Sequence, residues 1–511
     1  MESGNEPAVE CISHSNHAST PKDTGDLNLN NVLQSDEIDG KQVESYKADI
    51  TLRLKKKQRR WTAIVTVTAL LFAIFFILLA FLIVARKSAV KVDSNSSNVV
   101  CHGACNFELV ETIPSGMNYD PGSPKNPAIV EKLKEILTTA NQSIDIASSY
   151  WTLRGTDVKG GPYPMAKVGE EIFDGLIDAA VKRGVHIRIV HQVLCKGGKC
   201  MYSTNDTDTL AKVEGIEVRT LDVEKLIGSG IIHTKLWIVD GHHIYLGSAN
   251  MDWRSYTEVK ELGIMTYNCP CLCSDMSKIF EAYWVLAQKD AKIPKVWPQS
   301  YNTNINKENP LVITSSNGSS AVYYASSPPQ FCPSNRTVDI DAILHVIMSA
   351  KKFIKVAVMD YVTAVIYSRP ERYWGVIDSA LREAAYDRGV EVQLMMSSWI
   401  HTKKEMIPML KSLQDFGNAC KNGSITVKLF TVPAGKIDVP FTRVNHNKYM
   451  VTESGAYIGT SNWSGDYFIS TAGIGYVISQ LASSNASSPP IQEQLRNVFQ
   501  RDWNSKFASA L

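Results

Sequence analysis

The sequence has almost no net charge to offer a polyanion. Its 53 Lys and Arg are matched by 51 Asp and Glu, for +2 overall. Six of the basic residues, Arg53, Lys55, Lys56, Lys57, Arg59 and Arg60, crowd into one short run, and without them the chain stands at −4. That balance excludes a broad cationic surface of the kind that holds duplex nucleic acid through counterion release, so any phosphate recognition must be local. Also absent are GxGxxG, the P-loop, HExxH and GxSxG. The usual sequence grounds for a dinucleotide, nucleotide, zinc or serine-hydrolase site are therefore missing, and no cofactor and no metal site is expected. Long apolar runs are scarce too, with a single exception.

That exception is Thr62 to Ala85, TAIVTVTALLFAIFFILLAFLIVA, 24 residues without a charge, against the roughly 20 that a bilayer-spanning helix needs. It is apolar all round, unlike a one-sided core helix, and it is too long and too far from the start for a cleaved signal peptide. It reads as a signal anchor. The six basic residues precede it and only Arg86 and Lys87 follow closely, so the positive-inside bias puts the N-terminus in the cytosol. Residues 1–61 then form a polar, disordered cytosolic tail, 62–85 the anchor and 86–110 a lumenal stalk. The sequons agree with that orientation: Asn95, Asn141, Asn205, Asn317, Asn335, Asn422, Asn462 and Asn485 all fall on the far side. Asn462 is expected to stay unmodified because it belongs to the motif described below; the other seven are expected glycosylation sites. Of ten cysteines only Cys11 lies in the tail. Cys101, Cys105, Cys195, Cys200, Cys269, Cys271, Cys273, Cys332 and Cys420 sit where disulfides persist, and CHGAC and CPCLC read as disulfide cysteines rather than metal ligands. Their odd number leaves at least one free or paired with another chain.

Beyond the stalk the chain repeats itself. VEKLKEILTTANQSIDIASSYW and IDAILHVIMSAKKFIKVAVMDY each read as a helix running into a buried strand, and Tyr150 matches Tyr361 at an offset of 211. LIDAAVKRGVHIRIV and ALREAAYDRGVEVQLMM each predict a helix ending at a glycine, Gly184 or Gly389, before a β-branched strand, at an offset of 205. IEVRTL and ITVKLF follow at 209, and His233 and His446 at 213. Four blocks in one order at nearly constant offset are a duplication. Alternating helix and strand imply an α/β fold, two tandem α/β/α sandwich halves, with boundaries at 111–300 and 301–511 and a linker around 293–312. By analogy with isologous dimers, two equivalent halves are expected to pack about a pseudo-twofold axis. That packing would bring the last repeated block of each half together.

The last block is HTKLWIVDGHHIYLGSAN, His233 to Asn250, and HNKYMVTESGAYIGTSN, His446 to Asn462. Strand alternation sends His233 and Lys235 to one face, and His446 and Lys448 likewise. An asparagine, Asn250 or Asn462, returns on the next strand. Such a half-site suits a phosphate. Two of them face to face suit a phosphodiester, because in-line displacement needs a nucleophile on one side of phosphorus and a proton donor on the other. Histidine serves both roles near neutral or mildly acidic pH, and lysines and asparagines would hold the non-bridging oxygens as charge builds up. Asp240 breaks the strand parity and opens the turn, which makes it a positioning residue. HTKK at His401 repeats two letters of the pattern but leads into a helix start, and His242 and His243 read as solvated turn residues.

HTKLWIVD and HNKYMVTE, each followed by G-S/T-x-N, resemble the paired HxKxxxxD signatures of the phospholipase D superfamily. The resemblance covers the chain from about residue 110 to its end. It implies that one histidine forms a covalent phosphohistidine while the other protonates the leaving oxygen, with His233 favoured as nucleophile and His446 as acid. The catalytic set it implies is His233, Lys235, Asp240, His446, Lys448 and Glu453; Asn250, Asn462, Ser248 and Thr460 would bind substrate, and Glu261 would orient an imidazole. Two departures stand out: Glu453 replaces the usual Asp, and FISTAGIGYV offers no counterpart of Glu261 except, as a substitute, Asp466. The single anchor, the sequons, the cysteines, SSYWTLRG and GTSNWSG resemble the lysosomal type II membrane branch of the superfamily. That branch implies an acid 5′-to-3′ exonuclease on single-stranded DNA and RNA, or a phospholipid phosphodiesterase and transphosphatidylase, in endosomes and lysosomes reached through the endoplasmic reticulum and Golgi. A catalytically silent binding glycoprotein is the third reading, and a homodimer is left open. Tyr150, Trp151 and Tyr361 are candidates either for base stacking or for the core.

Overall fold

Helix α1 (Ile129–Thr139) turns Ile129, Leu133, Ile136 and Leu137 inward and feeds a buried strand. Helix α2 (Lys167–Arg183) stops at Gly184, whose φ of 69° is the left-handed conformation that glycine adopts without steric cost. In the second half α4 (Asp339–Ser349) and α5 (Val376–Arg388) repeat these two steps, and Gly389 again has φ 69°. The computed structural model describes Lys55 and residues 105–193, 195–196, 199–200, 203–481 and 486–511. The expected tail and anchor, the stalk before Cys105, Cys11, Cys101 and the sequons Asn95 and Asn485 lie outside the described residues. The chain divides after residue 96, and both sheets belong to the unit from Ser97 to Leu511.

The first sheet contains β1 (Asn106–Thr112), β2 (Ser143–Ser148), β3 (His186–His191), β4 (Ile216–Thr220), β5 (Lys235–Val239), β6 (His243–Gly247) and β7 (Glu261–Tyr267), in the spatial order β1-β7-β6-β5-β2-β3-β4. The second contains β8 (Leu311–Ser315), β9 (Gly318–Ser327), β10 (Phe353–Val358), β11 (Glu391–Ser397), β12 (Ser424–Phe430), β13 (Lys448–Thr452), β14 (Gly455–Gly459), β15 (Gly473–Gln480) and β16 (Ala508–Ala510), in the order β8-β9-β15-β14-β13-β10-β11-β12-β16. Without its edge strands β8 and β16, the second order is that of the first. Both sheets are mixed: β2, β3 and β4 run parallel, as do β10, β11 and β12, and the neighbours toward the motif hairpin are antiparallel. Strand β1 begins at Asn106, so 106–110, assigned above to the stalk, belong to the sheet. The buried Phe107, Leu109 and Val110 explain why.

Among the described residues three large apolar cores hold these layers, beside a small cluster of Val158, Tyr163, Ala166, Trp253 and Val439. One lies under α1 and α2 and includes Leu133, Ile172 and Leu176. A second lies under α4, α5 and α6 (Met406–Gly417) and includes Ile343, Leu381 and Leu410. The third is shared: Phe280 and Tyr283 of α3 (Pro270–Leu286) and Val498 and Phe499 of α7 (Ile491–Trp503) cluster with Leu246 and Ile264 of the first sheet and Tyr324 and Tyr476 of the second. Cys105 and Cys269 form a disulfide that joins the start of β1 to the N-terminus of α3, and Cys271 is also disulfide-bonded. Cys273, Cys332 and Cys420 are free. Across the halves the backbone makes two reciprocal bridges, Ile232 with Ala472 and Lys260 with Asn445.

Candidate active site

Those bridges place the two histidines. The N–H of His233 donates to the Ala472 carbonyl and the N–H of His446 to the Lys260 carbonyl, each at 2.8 Å. Each motif is thus tethered to the opposite half two residues before its strand pairing begins. The imidazoles end with their ring centres 6.4 Å apart at an interplanar angle of 68°. Lys235 and Lys448, two residues on, fold back so that each Nζ donates to the carbonyl of its own motif histidine at 2.7 Å. His and Lys thus lie on one face of each strand, as alternation along it implies.

The halves differ in what holds each ring. His233 Nδ1 lies 2.6 Å from the Thr460 carbonyl oxygen. A carbonyl only accepts, so Nδ1 carries the proton and the neutral ring keeps its lone pair on Nε2. His446 Nδ1 lies 3.0 and 2.9 Å from the two oxygens of the buried Glu261 carboxylate, which favours an imidazolium with a proton on Nε2. Burial pushes His233 well below its ordinary value, and the cations Lys235, Lys448 and His446 push it the same way. Burial also lowers His446, helped by Lys448 and Lys235, but the charge and hydrogen bond of Glu261 oppose it. The lysines respond in kind: burial depresses Lys235 well below its usual value, and Lys448 falls to about 7, with Glu261 and Asp360 resisting. Two amines and two imidazoles thus share a buried pocket with the carboxylate of Glu261 on His446 and that of Asp360 near Lys448, and a phosphate anion entering it would favour their protonated forms.

Asn250 Nδ2 donates to the Tyr150 hydroxyl at 3.2 Å. Asn462 Nδ2 donates to Asp360 at 3.3 Å and to the Tyr467 hydroxyl at 3.2 Å, leaving its Oδ1 unpartnered. Ser248 and Thr460, expected to bind substrate, use their hydroxyls elsewhere. Ser248 Oγ donates to the Leu262 carbonyl and accepts the Leu262 N–H, and Thr460 Oγ1 accepts the Ile474 N–H. Both clamp the strands behind the pocket, where sheet backbone rather than solvent is within reach.

Asp240 and Glu453, counted above in the catalytic set, lie at the far end of the motif strands, roughly 20 Å from the histidines at about 3.3 Å per residue. Asp240 accepts the N–H groups of Asn141, Gln142 and Ser143 at 2.8, 2.8 and 2.9 Å; Glu453 accepts those of Lys351, Lys352 and Phe353 at 2.6, 3.3 and 3.3 Å. They position loops and take no part in the pocket. Asp466, the substitute for Glu261, accepts the N–H groups of Ile366, Tyr367 and Ser368 and does not reach His233. Trp151 and Tyr361 are core residues, whereas Tyr150 is half-buried at the site. The Asn317 side chain is buried and donates to the Pro489 carbonyl, which leaves no room for a glycan; Asn141, Asn205, Asn335 and Asn422 are exposed. The structure adds three groups without a signature in the motif: the Thr460 carbonyl, Tyr467, whose ring centre is 5.0 Å from that of His233, and the buried Asp360.

This geometry meets a match in sequence space. Residues 123–435 match the family described as "PLD3/4, PLD-like domain". The chain belongs to the phospholipase D-like family of PLD3 and PLD4. Within that family it is 42% identical over 461 residues to the protein named 5'-3' exonuclease PLD3 of Xenopus laevis, covering 89% of this chain and 92% of that one. It is 40% identical to 5'-3' exonuclease PLD3 of Homo sapiens, with 93% and 94% covered, and 41% identical to 5'-3' exonuclease PLD4 of Homo sapiens, with 80% and 79% covered. Among solved structures, the phosphatidylserine synthase of Haemophilus influenzae Rd KW20 superposes with a TM-score of 0.48 at 11% identity, over 75% of this chain and 85% of that one.

Proposed function

We propose that this protein is a 5′-to-3′ exonuclease that cleaves single-stranded DNA and RNA through a covalent phosphohistidine. The observation that carries the reading is a pair of unlike histidines within reach of one phosphate. His233 keeps a free Nε2 because a carbonyl holds its Nδ1 proton, and His446 is backed by a carboxylate. In the first step His233 Nε2 forms a bond to phosphorus while the ester P–O bond breaks, and the leaving oxygen takes the proton of His446 Nε2. Water then attacks phosphorus and gives its proton to His446; the N–P bond breaks and His233 is restored. Lys235, Lys448, Asn250 and Asn462 stabilise the non-bridging oxygens. The names and identities of the relatives support the exonuclease among phosphodiesterase activities.

The wider reading is that halves 111–300 and 301–511 are related by a pseudo-twofold axis, supported by the shared strand order and the reciprocal bridges. They would stand on a stalk behind a single signal anchor at 62–85, with the catalytic part in the endosomal and lysosomal lumen. An acid compartment suits a general acid whose own value lies below the ordinary one for histidine. The full-length protein, assayed in detergent at about pH 5, should shorten a 5′-hydroxyl single-stranded oligonucleotide from its 5′ end, and His233→Ala should lower the rate about a thousandfold or more. Labelled phospholipid with a glycerol acceptor is the companion assay. Head-group transfer without nucleotide release would move the function to lipid, and silence in both would leave a binding glycoprotein.

A further inference from the structure

Two loops at the pocket expose aromatic and aliphatic groups that the chemistry above does not use. One leaves the sheet after Ser397, whose hydroxyl accepts the N–H of Asn445, next to His446. It carries Trp399, Ile400 and His401, and Ile400 is 90% exposed. The other carries Phe441, 63% exposed. The rings of His401 and Phe441 are stacked, with centres 4.9 Å apart and planes at 20°, and Trp399 and His401 meet edge to face with centres 4.7 Å apart.

Phe441 has φ +58°, a conformation that a bulky residue seldom adopts. It is fixed on both sides: Arg254 Nη1 donates to the Pro440 carbonyl at 2.9 Å, and the Arg443 N–H donates to the Glu258 carbonyl at 3.1 Å. A strained backbone that its surroundings enforce, and that turns an apolar ring into solvent, points to use at that spot. The platform connects to both phosphate-binding asparagines. On one side Arg254 pairs with Asp252 at 2.6 Å, Asp252 accepts the Tyr150 hydroxyl, and Tyr150 accepts Asn250. On the other, Lys403 lies 5.3 Å over the Tyr367 ring and within electrostatic reach of Asp360, which accepts Asn462. Lys404 extends into solvent beside it, in a loose ion pair with Glu405 at 3.9 Å.

We infer that His401 and Phe441 form a stacking platform for the bases of a single strand whose terminal phosphodiester lies between His233 and His446. The inference rests on the exonuclease reading and deepens it. Flat, sequence-tolerant aromatic faces beside a pair of lysines suit bases on a phosphate backbone, and the chain's acidic remainder makes such a local patch the place where a polyanion could be held. A lipid surface is the competing occupant for an exposed Ile and Phe, and the assays separate the two.

The full-length protein in detergent is titrated into a single-stranded oligonucleotide carrying a fluorescent purine analogue, and its KM is measured on the same strand and on bis-p-nitrophenyl phosphate, which has no bases to stack. Wild type should quench the analogue. Phe441→Ala should lose the quench and raise KM for the oligonucleotide about tenfold, the worth of one base stack, while turnover of the small diester stays within about twofold. Phe441→Tyr should retain the quench. No quench by wild type, an unchanged quench and KM in Phe441→Ala, or equal losses on both substrates would overturn the platform. So would Phe441-dependent binding to phosphatidylserine vesicles without any quench. A Phe441-dependent quench without nucleotide release would support the platform and overturn the exonuclease reading alone.

Discussion

Glu261 is where the two halves stop being copies. Its carboxylate, fully buried, grips His446 Nδ1, while the equivalent position in the second half is Gly473, and a side chain begun there would meet Ser461 Oγ at 2.4 Å. Without room for a second carboxylate, His233 relies on the Thr460 carbonyl. The asymmetry divides the labour: Glu261 raises His446 against the burial that lowers it, and nothing comparable lifts His233. Glu261→Gln keeps a hydrogen-bond acceptor but removes the charge. The imidazolium then loses its stabiliser, His446 titrates at lower pH than in wild type, and the fraction able to donate a proton falls at any given pH above that value. The alkaline limb of kcat against pH should therefore move toward acid, with a rate loss of about a hundredfold at the wild-type optimum, the usual worth of a general acid. A pH profile with an unmoved limb would show that Glu261 serves packing alone. The contact of Glu261 with a motif imidazole was expected from the family resemblance, but the Thr460 carbonyl was not legible. A backbone acceptor is supplied by geometry, and no residue type advertises it.

At the scale of elements, the acidic residue that closes each HxKxxxxD pattern ties a turn to the loop that precedes a distant strand. Asp240 leaves β5 at φ 52° and gathers three consecutive N–H groups between α1 and β2; Glu453 does the same between α4 and β10. Consecutive N–H groups aimed at one carboxylate form an anion nest, and Asp240 is held below the usual carboxylate range by them, although burial opposes the shift. Removing the acceptor by Asp240→Ala leaves three donors to water in a half-buried turn, at a cost of about 2–4 kcal/mol for charge-assisted bonds. The melting temperature should fall while kcat per folded molecule stays near wild type. A variant that melts normally but has lost kcat would return Asp240 to the catalytic set. The elements themselves were readable because each written pattern occurs twice: a helix ending at Gly184 or Gly389 before a β-branched strand leaves little choice. Strands β8 and β16 were missed because they are edge additions with no partner in the first half. The start of β1 was missed because NFELV lies only a few residues past the polar SNSSN stretch that looks like linker.

At the scale of the whole molecule, the catalytic pocket exists only where the halves meet, so what joins them matters as much as the motif. The joint is ionic as well as apolar. Arg501 of α7 places both guanidinium nitrogens on Glu111 of β1 at 2.8 and 2.7 Å and its Nε on Asp502 at 3.0 Å. Asp502 in turn pairs with Lys260 at 2.7 Å, and the Lys260 carbonyl is the one that receives the N–H of His446. Two cations and two anions, all with side chains at most 1% exposed, therefore balance each other across the boundary and end at the backbone of the proposed acid. Such a group adds little net stability when complete, because desolvation offsets the attraction, but breaking it strands a buried charge. Arg501→Met should destabilise by about 3–5 kcal/mol, since Glu111 would then face the interior without a cation, held only by Asn126. Glu111→Gln alone leaves two cations, Arg501 and Lys260, sharing the single carboxylate of Asp502, an excess buried charge of the opposite sign. The double variant strands neither, so its loss should be smaller than the sum of the two by about 1–3 kcal/mol. Denaturant midpoints of the four proteins decide the matter: strict additivity would mean that the pair is not coupled and that the apolar cluster of α3 and α7 alone holds the halves in register. With coupling, both single variants should also lose activity before they unfold, because the strand that carries Lys260 and Glu261 is the one the network pins.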